Sequence, residues 1–481
     1  MATTQKTLQR LAIGLAAVTA LPVWAFNSGS TGADGALNPA VSVEIALPPN
    51  GVLNYTSVNI PNGVTVTFKR NATNTPVVML VQGNVTIAGV IDVIGKNAPD
   101  SGPVGDGVRE DDGLPGIGGN GGFDGGAAGM ATGAGIGGTG LGPGGGKGGR
   151  TPPVSNRHNG CGGPGSYGTE PAYRDDAPAG PIYGNEFIVP LIGGSGGGGG
   201  SPQDLRGSGG GGGGGAILIA AGATISVALT GTLLANGGSA GNTQNDIGLY
   251  VGAAGGPASG GAIRLIATSL SVAGTLSAAG GGRRSCLSIG GGLGRIRLEA
   301  ETFGQLRTSN PPYTFGAPGS VFADGQPALR FVSIGGIAVP ASPVGRNDIS
   351  LPTNLPNPVA VSLATAGVPV GAVTSVTSTP DFGAAPTAVD SAPTTGTTAN
   401  ATAGVSIAIA PGHSVLSAQT SYTIVASLGD ALSRFAQGER VERVTLSATL
   451  GGGVSHAVLT TTSGRQFDAP PAALALLASA R

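Results

Sequence analysis

Charge is what this sequence most lacks. Only 10% of its 481 residues are Asp, Glu, Lys or Arg, and the formal net charge is −1, against about 25% charged residues in an ordinary soluble domain. Neutralising phosphates takes a basic face, so no nucleic-acid partner is expected. Histidine is scarce too: His158, His413 and His456 form no HxH or HxxxH pair, which leaves zinc without its usual ligand spacing. Long apolar runs are missing beyond the N-terminus, so no later segment is expected to span a membrane. Aromatics amount to 4%. Glycine (92) and proline (35) are abundant, yet 40% of the chain is hydrophobic, unlike a typical disordered sequence.

The first 25 residues read as an export signal. Lys6 and Arg10 supply a positive start, Leu11 to Leu21 an apolar stretch, and Val23-Trp24-Ala25 a small-x-small cleavage site, too short in its apolar part for a spanning helix. Cleavage after Ala25 is expected, which would remove the only Trp. The product would be secreted, extracellular or at the cell surface.

An internal repeat comes next. Residues 83–95 and 268–280 superpose without a gap: Val85 on Leu270, Ile87 on Val272, Gly89 on Gly274, Ile91 on Leu276. A third copy runs through Ile225 and Val227 to Gly231, Leu233 and Ala235. Apolar strands precede the copies at Val77–Val81, Ala216–Ala220 and Ala262–Ile266, and a fourth begins at Gly294. Apolar residues alternate with Thr, Ser or Asp, as strands with one buried face require. A single such unit cannot bury its apolar face, whereas stacked copies can. The expected fold class is therefore all-β: a parallel β-helix over residues 26–334, rather than the antiparallel sandwich that short strands also suggest. Residues 26–75 would form its N-terminal cap and first coil.

Between the repeats lie glycine insertions, the main one at about 96–214. Residues 196–200 and 209–215 are pure Gly. A flexible linker is one reading. The other is a bundle of extended three-fold helices, close enough without Cβ to bond backbone to backbone and carrying non-Gly residues along one edge. Collagen is excluded, because no strict Gly-X-Y period exists. Ordering costs about 1–2 kcal/mol per residue, so the bundle forms only if nearly every amide finds a partner. Loops leaving equivalent corners of successive repeats emerge on one side, which makes a Cys161–Cys286 disulfide geometrically plausible in an exported chain.

Candidate chemistry is sparse. Gly193-Gly-Ser195-Gly-Gly197 lacks the strand-turn-helix context of a nucleophile elbow, and Lys147 is followed by Gly148 where a phosphate loop needs Ser or Thr. Asp106, Glu110, Asp111 and Asp112 form the densest carboxylate cluster, a weak calcium candidate more simply read as a solvated loop. No other cofactor is expected. Tyr167, Tyr173, Tyr183, Arg174, Asp175 and Asp176 sit in the least repetitive part of the insertion. They suit carbohydrate or protein recognition, but the tyrosines equally suit a plug anchoring the bundle. Catalysis is not expected, since Asp175 and Asp176 are adjacent and would point to opposite faces of a strand.

A Pro-rich stretch at 335–357 reads as a linker. Short strands over 358–469 suggest an immunoglobulin-like β-sandwich, with 470–481 as a tail. Over about residues 50–300, the Val-Thr-Ile-Ala-Gly-Val-Ile-Asp-Val and Leu-Ser-Val-Ala-Gly-Thr-Leu-Ser-Ala units resemble secreted bacterial adhesin-like β-helix proteins. The glycine insertions are similar to the polyglycine-bundle tips of phage tail-fibre adhesins, which lack a signal peptide. Both resemblances imply a structural or adhesive role, with a surface glycan, extracellular matrix or protein receptor as partner. The rival classes are a glycan-degrading β-helix enzyme and an ice-binding protein built on a flat glycine face.

Overall fold

The computed structural model describes residues 26–102, 113–129, 136–150, 160–171, 178–201, 207–242, 253–282, 290–322, 327–339, 349–380, 387–412, 414–426, 428–449 and 454–469, with residues 473, 476 and 477. The expected signal segment lies outside them. The chain is nearly all β, with 40% strand and 3% helix. Among the described residues no helix is long and apolar enough to cross a membrane.

Two parallel sheets build the first unit. The larger holds β1 (Ala36–Leu37), β3 (Val52–Tyr55), β4 (Ser57–Ile60), β6 (Val77–Val81), β7 (Val85–Ile87), β9 (Ala216–Val227), β11 (Ala262–Val272), β13 (Arg295–Leu306) and β14 (Thr314–Gly316). The smaller runs in the order β12 (Thr275–Ser277), β10 (Thr232–Leu234), β8 (Val90–Asp92), β5 (Thr65–Lys69), β2 (Val43–Ala46). Neither sheet closes on itself. The register is the one the repeat implies: Val85 pairs with Ile225 and Ile225 with Leu270, while Ile91 pairs with Leu233 and Leu233 with Leu276.

Alternation decides what is buried. Ile60, Val66, Met79, Ile87, Ile91, Ile219, Leu233, Leu265 and Leu298 are fully enclosed in one core, to which both sheets contribute. Each such side chain contributes about 1.5–3 kcal/mol on leaving water. The glycine common to the repeats has a steric cause. A Cβ on Gly231 would strike the Ile87 carbonyl, and one on Gly274 the carbonyls of Gly231 and Ala228.

The outer face of the larger sheet is covered as well. Phe26, Leu191 and Val321 pack on Val78, Leu80, Leu218, Ala220 and Ile266. Residues 26–30 form a strap across successive repeats: Ser30 Oγ donates to the Tyr55 carbonyl (2.8 Å), Ser28 Oγ to that of Val81 (2.7 Å), and the Phe26 N–H to Thr268 Oγ1 (3.1 Å). Tyr55, Val81, Ala221 and Ala267 occupy one register position in neighbouring strands, so the strap runs across the strands.

Two antiparallel sheets build the second unit. One runs β16 (Ile337–Ala338), β15 (Ala328–Ile334), β17 (Val359–Ala366), β21 (Asn400–Ile407), β20 (Thr395–Thr397); the other runs β19 (Thr387–Asp390), β18 (Thr374–Pro380), β22 (Ser414–Val425), β23 (Val441–Thr449), β24 (Val454–Thr461), β25 (Gln466–Asp468). Leu329, Phe331 and Leu363 of the first share a core with Val376 and Ala418 of the second. Residues 328–338, assigned by the expected boundary partly to the parallel unit and partly to a linker, pair here with one another and with β17.

Candidate functional site: the glycine bundle

Strands β8, β10 and β12 run on without a break into extended segments, glycine-rich after β10 and β12, and glycine-rich segments lead into β9, β11 and β13. These segments lie side by side as extended rods. The rod 207–215 makes their geometry explicit. Gly210 and Gly213 donate to Gly126 and Phe123, Gly211 and Gly214 to Gly256 and Ser259, and Gly212 and Gly215 to Lys96 and Val93, at 2.7–3.0 Å. Every third amide returns to the same neighbour, the signature of a helix with three residues per turn.

Three more rods donate to this one: Gly197 to Gly211, Gly116 to Gly210, and Gly238 to Gly212. The central rod thus touches segments 122–129, 253–261, 93–101, 193–201, 113–119 and 235–242. With neighbours all round, no direction remains for a side chain over residues 209–215. A Cβ on Gly211 would meet the Gly238 carbonyl, on Gly212 that of Ile117, on Gly213 that of Gly194. The rod 193–201 is packed in the same way, bonding to Leu141 and Gly138, to Gly163 and Gly160, and to Gly214 and Gly211. The ordered-bundle reading therefore holds over the described rods, because their amides find the partners that ordering demands.

At the periphery the period of three reappears in side chains. Asn97 and Asp100 accept the amides of Ser239 and Asn242 (2.7 and 2.8 Å); Asn236 and Ser239 accept those of Ala279 and Gly282 (2.8 and 3.0 Å). These residues cap amides that lack an outer rod. Inside, Ser195 Oγ accepts the Gly144 N–H at 2.9 Å and donates to the Tyr183 hydroxyl at 3.0 Å. Ser208 Oγ accepts from Gly255 at 3.0 Å and donates to the Gly241 carbonyl.

Tyr167 and Tyr183 form the plug rather than an open recognition surface. Their ring centroids are 4.6 Å apart. Tyr167 is fully buried with Ile188, Ala216 and Ala262, against Leu191 and Ile192, and the Arg295 guanidinium lies 5.5 Å from its ring centroid. Burial pushes the Tyr167 hydroxyl upward in pKa; burial, then Tyr167 beside it, pushes Tyr183 well above 10. Both are neutral hydroxyls at physiological pH. Tyr173, Arg174, Asp175 and Asp176 lie outside the described residues, as do Asp106, Glu110, Asp111, Asp112 and Cys286. Cys161 is buried in the bundle, and no described cysteine is a free thiol. Among the described residues no group of three or more His, Cys, Asp or Glu could hold a metal ion.

Two charged features escaped the sequence reading. Arg70 reaches from the loop after β5 to Asp124 at 2.8 Å, and Asp124 accepts the Gly118 N–H at 2.8 Å, fastening a bundle turn to the parallel unit. Asn74 grips the same turn through Gly121 and Gly122. On the outer sheet face, Glu299 accepts both Arg264 (3.1 Å twice) and Arg297 (3.2 Å), with all three side chains at most 5% exposed. Only the recurring Arg-x-Arg-x-Glu alternation at 295–299 could have hinted at it.

The far ends of the rods, away from the strands, come together. Ser101 bonds to Asn242, Ser208 to Ala253, Gly200 to Ser208, Gly129 to Gly200, Ser201 to Gly160 and Ala128 to Gly113. No protein-family model, curated protein or solved structure matches the chain.

Proposed function

We propose that this chain is an exported cell-surface or extracellular protein of structural and adhesive type, whose glycine bundle is a rigid holder for recognition at its far end. The observation that carries the reading is the convergence of the rod ends Ser101, Gly113, Gly129, Gly160, Ser201, Ser208, Asn242 and Ala253 at one place. Binding residues commonly sit on connections that a rigid scaffold positions. The partner class is a surface glycan, matrix component or protein receptor.

In this reading the parallel unit is a short β-helix, for which the repeat register is the support, and the antiparallel unit is an immunoglobulin-like sandwich, for which the shared core of its two sheets is the support. A Cys161–Cys286 disulfide staples the bundle, a pairing favoured by the lack of a free described thiol. No catalytic role is proposed.

The test is array binding to glycans and matrix proteins by residues 26–481, beside a variant whose segments 151–159 and 243–252 are replaced by Gly-Ser of equal length. Circular dichroism checks that both keep their strands. Binding by the parent and a tenfold or greater loss in the variant is the expected result. Equal binding by both moves recognition elsewhere, and binding by neither leaves a purely structural role.

A further inference from the structure

The strap 26–30 ends at a prepared place. The Phe26 nitrogen lies 3.1 Å from Thr268 Oγ1, whose own proton goes to the Gly222 carbonyl at 2.8 Å. One strand further on, Ala267 pairs with Ala300 and Ser269 with Thr302, which sets Glu301 beside Thr268. Neighbouring strands are about 4.8 Å apart. Glu301 is exposed and makes no ion pair among the described residues.

We propose that Thr268 and Glu301 form a receptor for a new amino terminus at Phe26, created when the chain is cut after Ala25. The proposal rests on the export reading for its protease, a signal-peptide-cleaving enzyme of the export membrane. Hydrolysis of the Ala25–Phe26 amide consumes one water. The carboxyl group stays on Ala25, and the amine on Phe26 takes a proton to become an ammonium. The uncut chain offers Thr268 a single neutral N–H. The cut chain offers two further N–H donors and a positive charge, within one strand of an unpaired carboxylate. Cleavage therefore tightens the strap, and the strap ties together the repeats it crosses.

Among the described residues, the other charged groups on the elements around Phe26 are few. Glu299 is taken up by Arg264 and Arg297. Glu186 belongs to the loop that carries Leu191, and Asp34, toward the opposite end of the N-terminal segment, accepts the Asn54 N–H. Pairing with Glu301 raises the ammonium pKa above its ordinary value of about 7.7–8.0. The added stability is thus complete below that range and disappears as pH rises through the raised value.

The experiment compares the full chain released at Phe26 from a cleavable leader, the same chain Nα-acetylated, and Glu301→Gln with a free Phe26 amine. At pH 6.5 the free-amine chain should melt on the order of 2 °C above the acetylated one. The gap should close above pH 9 and vanish in Glu301→Gln. Equal melting of free and acetylated chains at pH 6.5 overturns the receptor. Mass spectrometry of the chain recovered after export tests processing separately. A first residue other than Phe26 overturns the cut, whereas the melting comparison does not depend on export.

Discussion

At the scale of single residues, the bundle converts the smallest side chain into a strict requirement. Gly211 has carbonyl oxygen where a Cβ would go, whereas Gly404, on an antiparallel strand, has open space. Gly211→Ala should destabilise by about 2–3 kcal/mol or more, since overpacking forces the neighbours apart. Gly404→Ala should be neutral or stabilising by up to about 1 kcal/mol. Thermal melts of the two variants make the comparison. A second prediction concerns Glu439 in the antiparallel unit. Hydrogen bonds from Ser463 and Thr461, then Arg465, hold its carboxyl at about 2 rather than the ordinary 4.5. A depressed folded pKa stabilises above the unfolded value and is lost as pH falls toward 2. Between pH 4.5 and 2, wild type should therefore lose more stability than Glu439→Gln, read by urea midpoints at each pH. The sequence left the tyrosines open between a recognition surface and a plug, because rings flanked by polar groups suit both. It hid Glu299 and Arg264, because charged residues alternating on a strand read as a solvated face.

At the scale of elements, strand register was legible and packing partners were not. The gap-free repeat fixes that Val85 stacks with Leu270, and Ile225 joins them once the two extra residues before Gly231 are allowed for. Which segment covers the outer sheet face has no such periodic trace. Segment 315–321 does so by clamping: Gly319 N–H donates to Glu299 at 2.7 Å, while Arg264 donates to the Ser320 and Val321 carbonyls and Arg297 to that of Phe315. Removing one member of a buried ion cluster typically costs about 3–5 kcal/mol, whereas apolar replacement of the whole cluster is often neutral. Glu299→Gln should thus lower the urea midpoint sharply, and the triple change Arg264→Met, Arg297→Met, Glu299→Met should recover most of it. Continued low stability in the triple variant would mean that the clamped segment itself needs the charges. The boundary of the second unit illustrates the opposite difficulty. Prolines at 340, 343, 352, 356 and 358 resemble a linker in composition, yet β16 and β17 flank them within one sheet.

At the scale of the whole molecule, two ways of holding a chain together meet at the ends of β8, β10 and β12. The sheets gain from burying Ile, Leu and Val, a non-directional effect that tolerates exchange of one aliphatic for another. The rods gain almost nothing from apolar area and depend on pairing each amide with one particular carbonyl. Their register carries a constraint on inheritance. With three residues per turn, a rod that gains one residue turns every later amide toward the wrong neighbour, and a gain of two does the same. A gain of three returns each amide to its original partner, one turn along. Change in rod length should therefore accumulate in triplets of residues, so that the bundle lengthens or shortens by whole turns while the β strands at its base keep their sequence.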